Sequence, residues 1–266
     1  MSGNLLARLR RQFSECMVEH QMLAEGDHVL IGLSGGKDSL ALLALFADLR
    51  PRAPFRFTLS AVMIDGGLVG FDSRELEKSC AAFKVPFVVE KQPIFETVAD
   101  KKDEGSTFCS MCAKLRRGAL YSMADRLGAT KIALGHHLDD AIETLLLNLF
   151  FGGRTAALPP VLLSDAGHVP ILRPLLYCSE ADLAEYVHLL GFPTVGCACP
   201  ICPTHPEHEH SDLRRKEIKL LLTEFGRTNP QLREHARAAF RRVETSRFGD
   251  PRFSEKGTDY ISKTKY

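Results

Sequence analysis

The pattern of apolar positions begins with a helical repeat. In the first twenty residues, apolar side chains recur at helical spacing, at Leu5, Leu9, Phe13 and Cys16 or Met17. This spacing predicts an amphipathic helix in an N-terminal segment, 1–26, that precedes the core. We expect Arg8, Arg10 and Arg11 on the outer face of this helix.

From residue 28 onward, strand-like apolar runs alternate with helix-like segments. The predicted strands are 28–33, 57–64, 86–90 and 131–134, and the predicted helices are 40–49, 73–83, 112–127 and 139–150. Strands and helices that take turns in this way are typical of a parallel sheet covered by helices on both faces. We therefore predict a Rossmann-like α/β domain over 27–178.

The pattern changes after residue 150. The stretch GGRTAALPP is rich in turn-forming residues, a short extended piece with the sequence VPILRPL follows, and 180–190 is again helical. We predict a cysteine-rich and helical C-terminal region over 179–247, whose part from 212 to 247 carries ten Lys or Arg against five Asp or Glu. The composition of the remaining residues, 248–266, predicts a loose tail.

The composition is that of a folded protein without a strong overall charge. Of 266 residues, 45% are hydrophobic and 25% are charged, and 34 Lys or Arg oppose 33 Asp or Glu. A formal net charge of +1 means that any surface for a polyanion must be local. The sequence has neither an apolar run of membrane-spanning length nor the apolar core of a secretion signal. We predict a cytoplasmic protein that does not contact membranes.

The eight cysteines fall into two groups by their surroundings. One group lies in apolar, helix-like sequence and is interpreted as packing residues: Cys16, Cys80 and Cys178. The other group is clustered and comprises the C-x-x-C pair Cys109 and Cys112 and the triplet Cys197, Cys199 and Cys202. Without a secretion signal, clusters of this kind favour metal or thiol chemistry over disulfides. The C-x-x-C pair alone leaves redox, zinc and iron-sulfur chemistry open.

A glycine-rich loop connects the first predicted strand to the next helix. Its residues are Ser34, Gly35, Gly36, Lys37, Asp38 and Ser39. Between a strand and a helix, backbone N–H groups of such a loop and the helix dipole favour a bound phosphate. The loop matches neither the G-x-x-x-x-G-K-[ST] pattern nor G-x-G-x-x-G. The alternative is a structural Gly-Gly turn in which Ser or Asp caps the helix.

A second polar cluster follows the predicted strand 131–134 and opens the next helix. It reads Gly135-His136-His137-Leu138-Asp139-Asp140. Open α/β sheets bind ligands at the carboxyl ends of their strands, where this cluster and the glycine-rich loop would share one crevice. The alternative is that the two adjacent carboxylates only cap the helix.

The glycine-rich loop resembles the pyrophosphatase loop of the N-type ATP pyrophosphatases, the PP-loop superfamily with an adenine nucleotide alpha hydrolase-like fold. The resemblance implies ATP as co-substrate, with the leaving pyrophosphate held by Ser34, Gly35, Gly36 and Ser39. It further implies that Lys37 neutralises phosphate charge and that Asp38 helps to place Mg²⁺. Asp65, at the end of the second predicted strand, falls where family members contact the adenosine, although Asp-Gly after a strand is also an ordinary turn.

Longer motifs narrow the resemblance to one family. The segments TFCSMCAKLRRG, KIALGHHLDD, NLFFGG, RPLLYC and FPTVGCACPIC resemble those of the tRNA 2-thiocytidine biosynthesis proteins, and the likeness spans roughly residues 5 to 245. The resemblance implies that ATP adenylates the C2 oxygen of a cytidine in tRNA, at position 32 of the anticodon loop, and that sulfur then displaces AMP. It assigns Asp139 and Asp140 to Mg²⁺ binding and adenylation, and Gly135 to the ATP site.

That family holds a [4Fe-4S] cluster with three cysteines, which leaves one iron open to hydrosulfide. Carried over to this chain, the ligands are Cys109, Cys112 and Cys202. The chain departs from the family pattern around the third ligand, where Cys197 is an additional thiol, Pro203 replaces a glycine and the stretch HPEHEH follows. Cys199 is therefore the alternative third ligand.

A zinc site is the alternative to the cluster. Cys109, Cys112, Cys202 and His205 would form a closed Cys₃His structural site. The three histidines of the HPEHEH stretch, His205, His208 and His210, alternate with Pro and Glu, which is also typical of a solvated loop.

tRNA is the partner that the resemblance implies. We expect tRNA phosphates to contact Arg116 and Arg117 beside the C-x-x-C pair and Arg214 and Arg215 in the C-terminal region. Further basic positions considered for the same role are Arg8, Arg10, Arg11, Lys216, Arg241 and Arg242. The resemblance also implies a cysteine desulfurase or another sulfide source, and the sequence leaves a homodimer open. Two other functions stay open: thiolation of another tRNA base or a small metabolite, and RNA binding by a non-catalytic zinc protein.

Overall fold

Six strands form one sheet in the computed structural model, which describes residues 2–67, 73–100, 108–163, 169–194 and 209–245. They are β1 (His28–Gly32), β2 (Thr58–Asp65), β3 (Phe87–Lys91), β4 (Lys131–Ala133), β5 (Val161–Leu162) and β6 (Ile171–Leu172). Their order in the sheet is β3-β2-β1-β4-β6-β5. Every neighbouring pair is parallel except β5 and β6. The predicted parallel α/β architecture is therefore confirmed.

Nine α-helices are present in the part of the chain that the structure describes. They are α1 (Ser2–Glu19), α2 (Lys37–Leu49), α3 (Arg74–Ala82), α4 (Ile94–Asp100), α5 (Phe108–Leu127), α6 (Leu138–Phe151), α7 (Glu180–Leu190), α8 (Glu209–Thr228) and α9 (Leu232–Arg241). A short 3₁₀ helix, Pro174–Tyr177, links β6 to α7. None of these described helices is both long and apolar enough to cross a membrane. The chain divides into two compact units, Met1–Leu222 and Thr223–Tyr266, and the sheet belongs to the first.

Several element boundaries differ from the sequence pattern for physical reasons. The pattern does not predict α4 and β5, because segments of seven and two residues are too short to show a period. The predicted helical region 212–247 contains two helices, because Pro230 lacks the N–H group that a continuing helix requires. α5 begins at Phe108, ahead of the predicted start, so the backbone of the C-x-x-C pair lies inside the helix.

The strand order creates a crevice at the middle of the sheet. β1 pairs in parallel with β2 on one side and with β4 on the other. The chain therefore builds one half of the sheet through β2 and β3 and then crosses back to the other side of β1 at β4. At such a topological switch point the loops that follow the two central strands diverge and leave room for a ligand.

Both faces of the sheet are buried. Leu30 of β1 packs with Leu120 and Met123 of α5 on one face. Val29 and Ile31, which alternate with Leu30 and therefore point to the other face, are also fully buried. The loop that borders the central crevice thus follows β1, a strand that is covered on both faces.

The N-terminal helix α1 packs against α2, α7 and the 3₁₀ helix of the first unit. Arg8 donates two hydrogen bonds to the carboxylate of Asp182 in α7, at 2.6 and 2.9 Å. Arg10 binds the carboxylate of Asp48 in α2 in the same forked way, at 2.5 and 3.0 Å. The expectation that Arg8 and Arg10 only face the solvent is therefore corrected. Both side chains are half-exposed, but their guanidinium groups attach α1 to α7 and α2 of the first unit.

Candidate functional site

The glycine-rich loop leaves β1 and turns directly into α2. Gly35 has a φ of +85°, a left-handed conformation that favours glycine. The hydroxyl of Ser39 accepts a hydrogen bond from the N–H of Ser34 at 3.2 Å and donates one to the carbonyl of Gly36 at 2.9 Å. The loop is therefore closed by its own serines at the N-terminus of α2, where the helix dipole attracts anions.

The second polar segment follows β4 and lies against this loop. A Cβ atom placed on Gly135 would come within 2.9 Å of the carbonyl carbon of Asp38 and 3.0 Å of the N atom of Ser39. Only a residue without a side chain allows this approach of two backbones. The sequence prediction that the two segments follow neighbouring parallel strands is confirmed.

Gly135→Ala should destabilise the protein by about 1–3 kcal/mol and weaken ATP binding, because the new methyl group meets backbone atoms that cannot rotate away. Gly118→Ala is the matched control, since nothing lies within 4 Å of a Cβ at that helical position. Urea unfolding and calorimetric ATP titration of both variants measure the two effects. Wild-type stability and affinity in Gly135→Ala would contradict the close approach.

His137 connects the acidic residues of the two segments. It is the N-cap of α6: its Nδ1 accepts from the N–H of Asp140 at 3.4 Å, and its own N–H donates to the Asp140 carboxylate at 3.1 Å. Its Nε2 lies 3.5 Å from Asp140 Oδ2 and 3.7 Å from Asp38 Oδ1. The imidazole therefore holds the Asp38 and Asp140 carboxylates on the same side of the crevice.

A cavity of about 320 Å³ opens beside these residues. It is lined by four acidic side chains, by His137 and by three basic side chains of α8; the lining residues are Asp38, His137, Asp140, Glu143, Glu180, Arg215, Lys216 and Lys219. Its volume is in the range of small-ligand sites. The carboxylate oxygens are of the type that Mg²⁺ prefers, and Asp38 Oδ1 is a buried atom without a hydrogen-bond partner among the described residues.

Lys37 points toward this cavity from the first turn of α2. Its Nζ donates to Asp38 at 3.1 Å and to Glu180 of α7 at 3.0 Å. Burial opposes the charge of Lys37, but the hydrogen bond to Glu180 and the nearby Asp38 outweigh it and raise the pKa. Glu180 responds in the opposite sense: despite its burial, the hydrogen bonds from Lys219 and Lys37 lower its pKa to about 2. Lys37 and Glu180 are therefore both charged at neutral pH.

Asp139 and Asp65, both predicted site residues, have backbone partners. The buried carboxylate of Asp139 accepts a hydrogen bond from the N–H of Glu180 at 2.7 Å, which fixes the start of α7 beside the loop. Asp65 accepts from the N–H of Gly67 at 3.0 Å in a turn at the end of β2. Neither side chain is among those that line the cavity.

A buried basic cluster lies next to the cavity. Arg173, 5% exposed, follows β6. Burial of the His136 ring and, second, the positive charge of Arg173 lower the pKa of His136 to about 4. Arg173 in turn has a lowered pKa, caused by burial and by Arg117 of α5. The Nδ1 atom of His136 and the Nε atoms of Arg116 and Arg173 are buried without hydrogen-bond partners among the described residues. The cluster joins the second polar segment to the helix of the C-x-x-C pair.

The start of α5 lies at the same edge of the sheet as the cavity. α5 ends just before β4 begins, and it packs along the sheet against β2 and β4. A helix of 20 residues is about 30 Å long, so its first turn reaches the edge where the strands end. Cys112 follows directly after this first turn and is half-buried. The side chain of Cys109 and the residues Cys197, Cys199, Cys202, His205 and His208 lie outside the described residues.

Arg214 and Arg215, neighbours on α8, have different surroundings. Arg214 stacks on the ring of Phe151 at 4.8 Å from the centroid. Arg215, expected to bind tRNA, lines the cavity with its Nε 3.6 Å from the buried carboxylate of Glu143. Sequence reasoning did not identify Glu143, Glu180 or Lys219 as site residues. Their only sequence signal is their place on polar helix faces, which is common to most surface helices.

The comparisons with known proteins agree with this geometry. The family model of the PP-loop domain matches residues 5–193, and the chain is thus a PP-loop protein. The tRNA-cytidine(32) 2-sulfurtransferase of Cellvibrio japonicus is 43% identical over 248 residues, which are 93% of this chain and 80% of the relative. That of Pelobacter propionicus is 41% identical over 229 residues, 86% and 83% of the two chains. The chain belongs to the tRNA-cytidine(32) 2-sulfurtransferase family.

A solved structure shares the fold. The U34-tRNA thiolase NcsA from Methanococcus maripaludis, described with its [4Fe-4S] cluster, superposes with a TM-score of 0.70. The match covers 90% of this chain and 78% of NcsA at 20% sequence identity. The predicted adenine nucleotide alpha hydrolase-like fold is thereby confirmed.

Proposed function

We propose that this protein is an ATP-dependent tRNA-cytidine 2-sulfurtransferase that converts cytidine 32 of tRNA to 2-thiocytidine. The observation that carries the proposal is the shared edge of the sheet. The phosphate loop, the Asp140 segment and the first turn of the C-x-x-C helix all lie there, in a chain of the sulfurtransferase family. Adenylation and sulfur attack occur at one carbon, so both groups must reach the same nucleotide.

The phosphate loop and its neighbours suit cleavage of ATP between the α and β phosphates. The N–H groups at the start of α2 and the Nζ of Lys37 would hold the pyrophosphate as its charge develops. The unpartnered Asp38 Oδ1 and the nearby Asp140 carboxylate are the oxygen donors that we assign to Mg²⁺. The C2 oxygen of the target cytidine attacks the α phosphorus, the bond to the pyrophosphate breaks, and AMP becomes the later leaving group.

The cysteines provide the donor set for an iron-sulfur cluster. We assign Cys109, Cys112 and Cys202 as its ligands, and the half-buried position of Cys112 near the start of α5 fits such a role. A [4Fe-4S] cluster with three protein thiolates supplies an iron at which hydrosulfide can bind. We further assign a cysteine desulfurase or another donor as the source of that sulfide.

The basic side chains near the C-x-x-C pair are assigned to the tRNA. Arg116 and Arg117 follow that pair on α5, and Arg214 presents a partly stacked guanidinium group on α8. A loop nucleotide can leave its stack at low cost and reach the crevice while these arginines hold the flanking phosphates. We assign the reaction to the cytoplasm, in keeping with a tRNA substrate.

The test is a reaction of the anaerobically prepared full-length protein with Mg²⁺, ATP, sulfide and a tRNA that carries cytidine at position 32. We expect 2-thiocytidine in the digested tRNA by mass spectrometry, with AMP and pyrophosphate as the other products. The matched control is the same tRNA with uridine at that position, in which no thiolated nucleoside should form.

Each alternative has a distinct outcome. ADP and phosphate as products would contradict the PP-loop chemistry. Thiolation of the control tRNA to the same extent would move the target to another base. Zinc in place of iron, without AMP release, would favour a non-catalytic zinc protein.

A further inference from the structure

The cavity is closed on one side by a basic face of α8 that belongs to no PP-loop motif. Arg215, Lys216 and Lys219 of this face line the cavity. They belong to the first unit and lie beyond the part of the chain that the PP-loop model matches. The core side of the cavity supplies the four carboxylates. Without the α8 side chains, a triphosphate would enter a cavity dominated by negative charge.

Two lysines from distant parts of the chain converge on one carboxylate. Lys37 Nζ lies 3.0 Å and Lys219 Nζ lies 3.1 Å from the same oxygen of Glu180, Oε1. Lys219 also donates to Oε2 at 2.9 Å. An oxyanion that binds two ammonium groups in this way has the same contacts that a phosphate oxygen makes between lysines. Because Lys37 belongs to the phosphate loop, Lys219 lies within reach of the same phosphates.

We propose that Lys219 and Arg215 of α8 bind the pyrophosphate part of ATP, and that Glu180 competes with that phosphate for Lys37 and Lys219. The proposal rests on the proposed function, since it takes the cavity to be the ATP site. Glu180 occupies the lysines when the nucleotide is absent, and phosphate oxygens replace its carboxylate when ATP binds. Arg215, whose Nε lies 3.6 Å from Glu143 Oε2, contributes a further guanidinium group to the phosphates.

This arrangement predicts that changes at Lys219 and at Glu180, the two partners of one ion pair, alter the affinity for pyrophosphate in opposite directions. Loss of the Lys219 charge removes a ligand of the phosphate and weakens binding. Loss of the Glu180 charge removes a competitor and a repulsive group and strengthens binding. If the ion pair only held α8 against the core, loss of either charge would lower the stability of the fold. Neither loss would then strengthen the binding of pyrophosphate.

The experiment is isothermal titration of inorganic pyrophosphate with Mg²⁺ into the full-length protein and its variants. We expect Lys219→Gln to weaken binding on the order of tenfold, as for the loss of one charge-assisted hydrogen bond, and Arg215→Ala to weaken it less. Lys219→Arg should keep most of the affinity, and Glu180→Gln should bind several-fold more tightly than the wild type. Lys78→Ala, which removes an equally positive side chain paired within α3, should bind like the wild type. Circular dichroism of each variant checks that the fold is kept.

The outcomes separate this proposal from the proposed function. If the wild type binds pyrophosphate and Lys219→Gln binds it equally well, α8 takes no part in the site. If Glu180→Gln weakens binding instead of strengthening it, Glu180 is a ligand or a structural tie, and the competition is wrong. If the wild type binds neither pyrophosphate nor ATP, the assignment of the cavity to ATP and the role of α8 in phosphate binding are both wrong.

Discussion

Lys37→Ala should lower the rate of ATP cleavage to AMP and pyrophosphate by about 10²- to 10³-fold while the protein stays folded. The ammonium group lies at the N-terminus of α2 beside the phosphate loop, and its positive charge matters most as charge develops on the leaving pyrophosphate. Removal of one donor from such a preorganised site is known to have effects of this size. Lys37 contributes little to folding, because its side chain is about one-third exposed and a partly exposed ion pair is worth about 1 kcal/mol or less.

Single-turnover measurement of AMP formation, together with urea unfolding, separates the two contributions. Lys78→Ala is the control for loss of one positive charge at a distance from the cavity. Lys37→Arg should recover only part of the rate, since the guanidinium group is planar and larger than the ammonium group. Turnover within threefold of the wild type, or a loss of stability as large as the loss of activity, would favour a purely structural loop.

Each of the variants Cys109→Ala, Cys112→Ala and Cys202→Ala should lose the iron-sulfur cluster. Each should therefore also fail to form 2-thiocytidine. A cubane with three protein thiolates has no spare ligand, so the loss of one leaves two irons open and the cluster labile. Cys197→Ala should keep nearly the full iron content, because Cys197 is not among the assigned ligands. Iron analysis and the visible absorption of the anaerobically purified variants give the result.

The same series tests the position of the third ligand. Full iron in Cys202→Ala together with its loss in Cys199→Ala would shift the third ligand by three residues along the chain. Stoichiometric zinc that is lost in His205→Ala would instead indicate the Cys₃His site. Retention of iron in both Cys109→Ala and Cys112→Ala would remove the C-x-x-C pair from the cluster altogether.

The effects expected at Lys37 and at the cysteines concern two different halves of one reaction. Lys37→Ala should retain the cluster, and Cys112→Ala should retain binding of ATP. The charge of the buried Arg173 acts on His136, in the segment after β4, and the charge of Arg117, on the helix of the C-x-x-C pair, acts on Arg173. Arg173 therefore lies near both the segment after β4 and α5.

The sequence alone was sufficient to locate the parallel sheet and both polar segments of the cavity. Apolar runs such as 28–33 and 131–134 are buried on both faces, so their strand character does not depend on distant residues. The loop 34–39 and the segment 135–140 are recognisable because glycine and polar residues are concentrated directly after such runs. That Gly135 allows the close approach of the loop at Asp38 is visible only in the tertiary structure.

Only the tertiary structure decided which side chains of other elements complete the site. Glu180 and Lys219 are 143 and 182 residues from Lys37 in the chain, and single charged residues on polar helix faces carry no signal of their own. Lys37 and Glu180 meet because β4 pairs with β1, which brings Asp139 next to the phosphate loop. The Asp139 carboxylate then binds the first N–H group of α7, that of Glu180. Arg8 and Arg10 show the same limit, since their partners Asp182 and Asp48 lie on other helices. The local pattern of apolar residues determines helices and strands, because each has its own backbone period. An ion pair between two helices depends instead on where the fold of the whole chain brings those helices together.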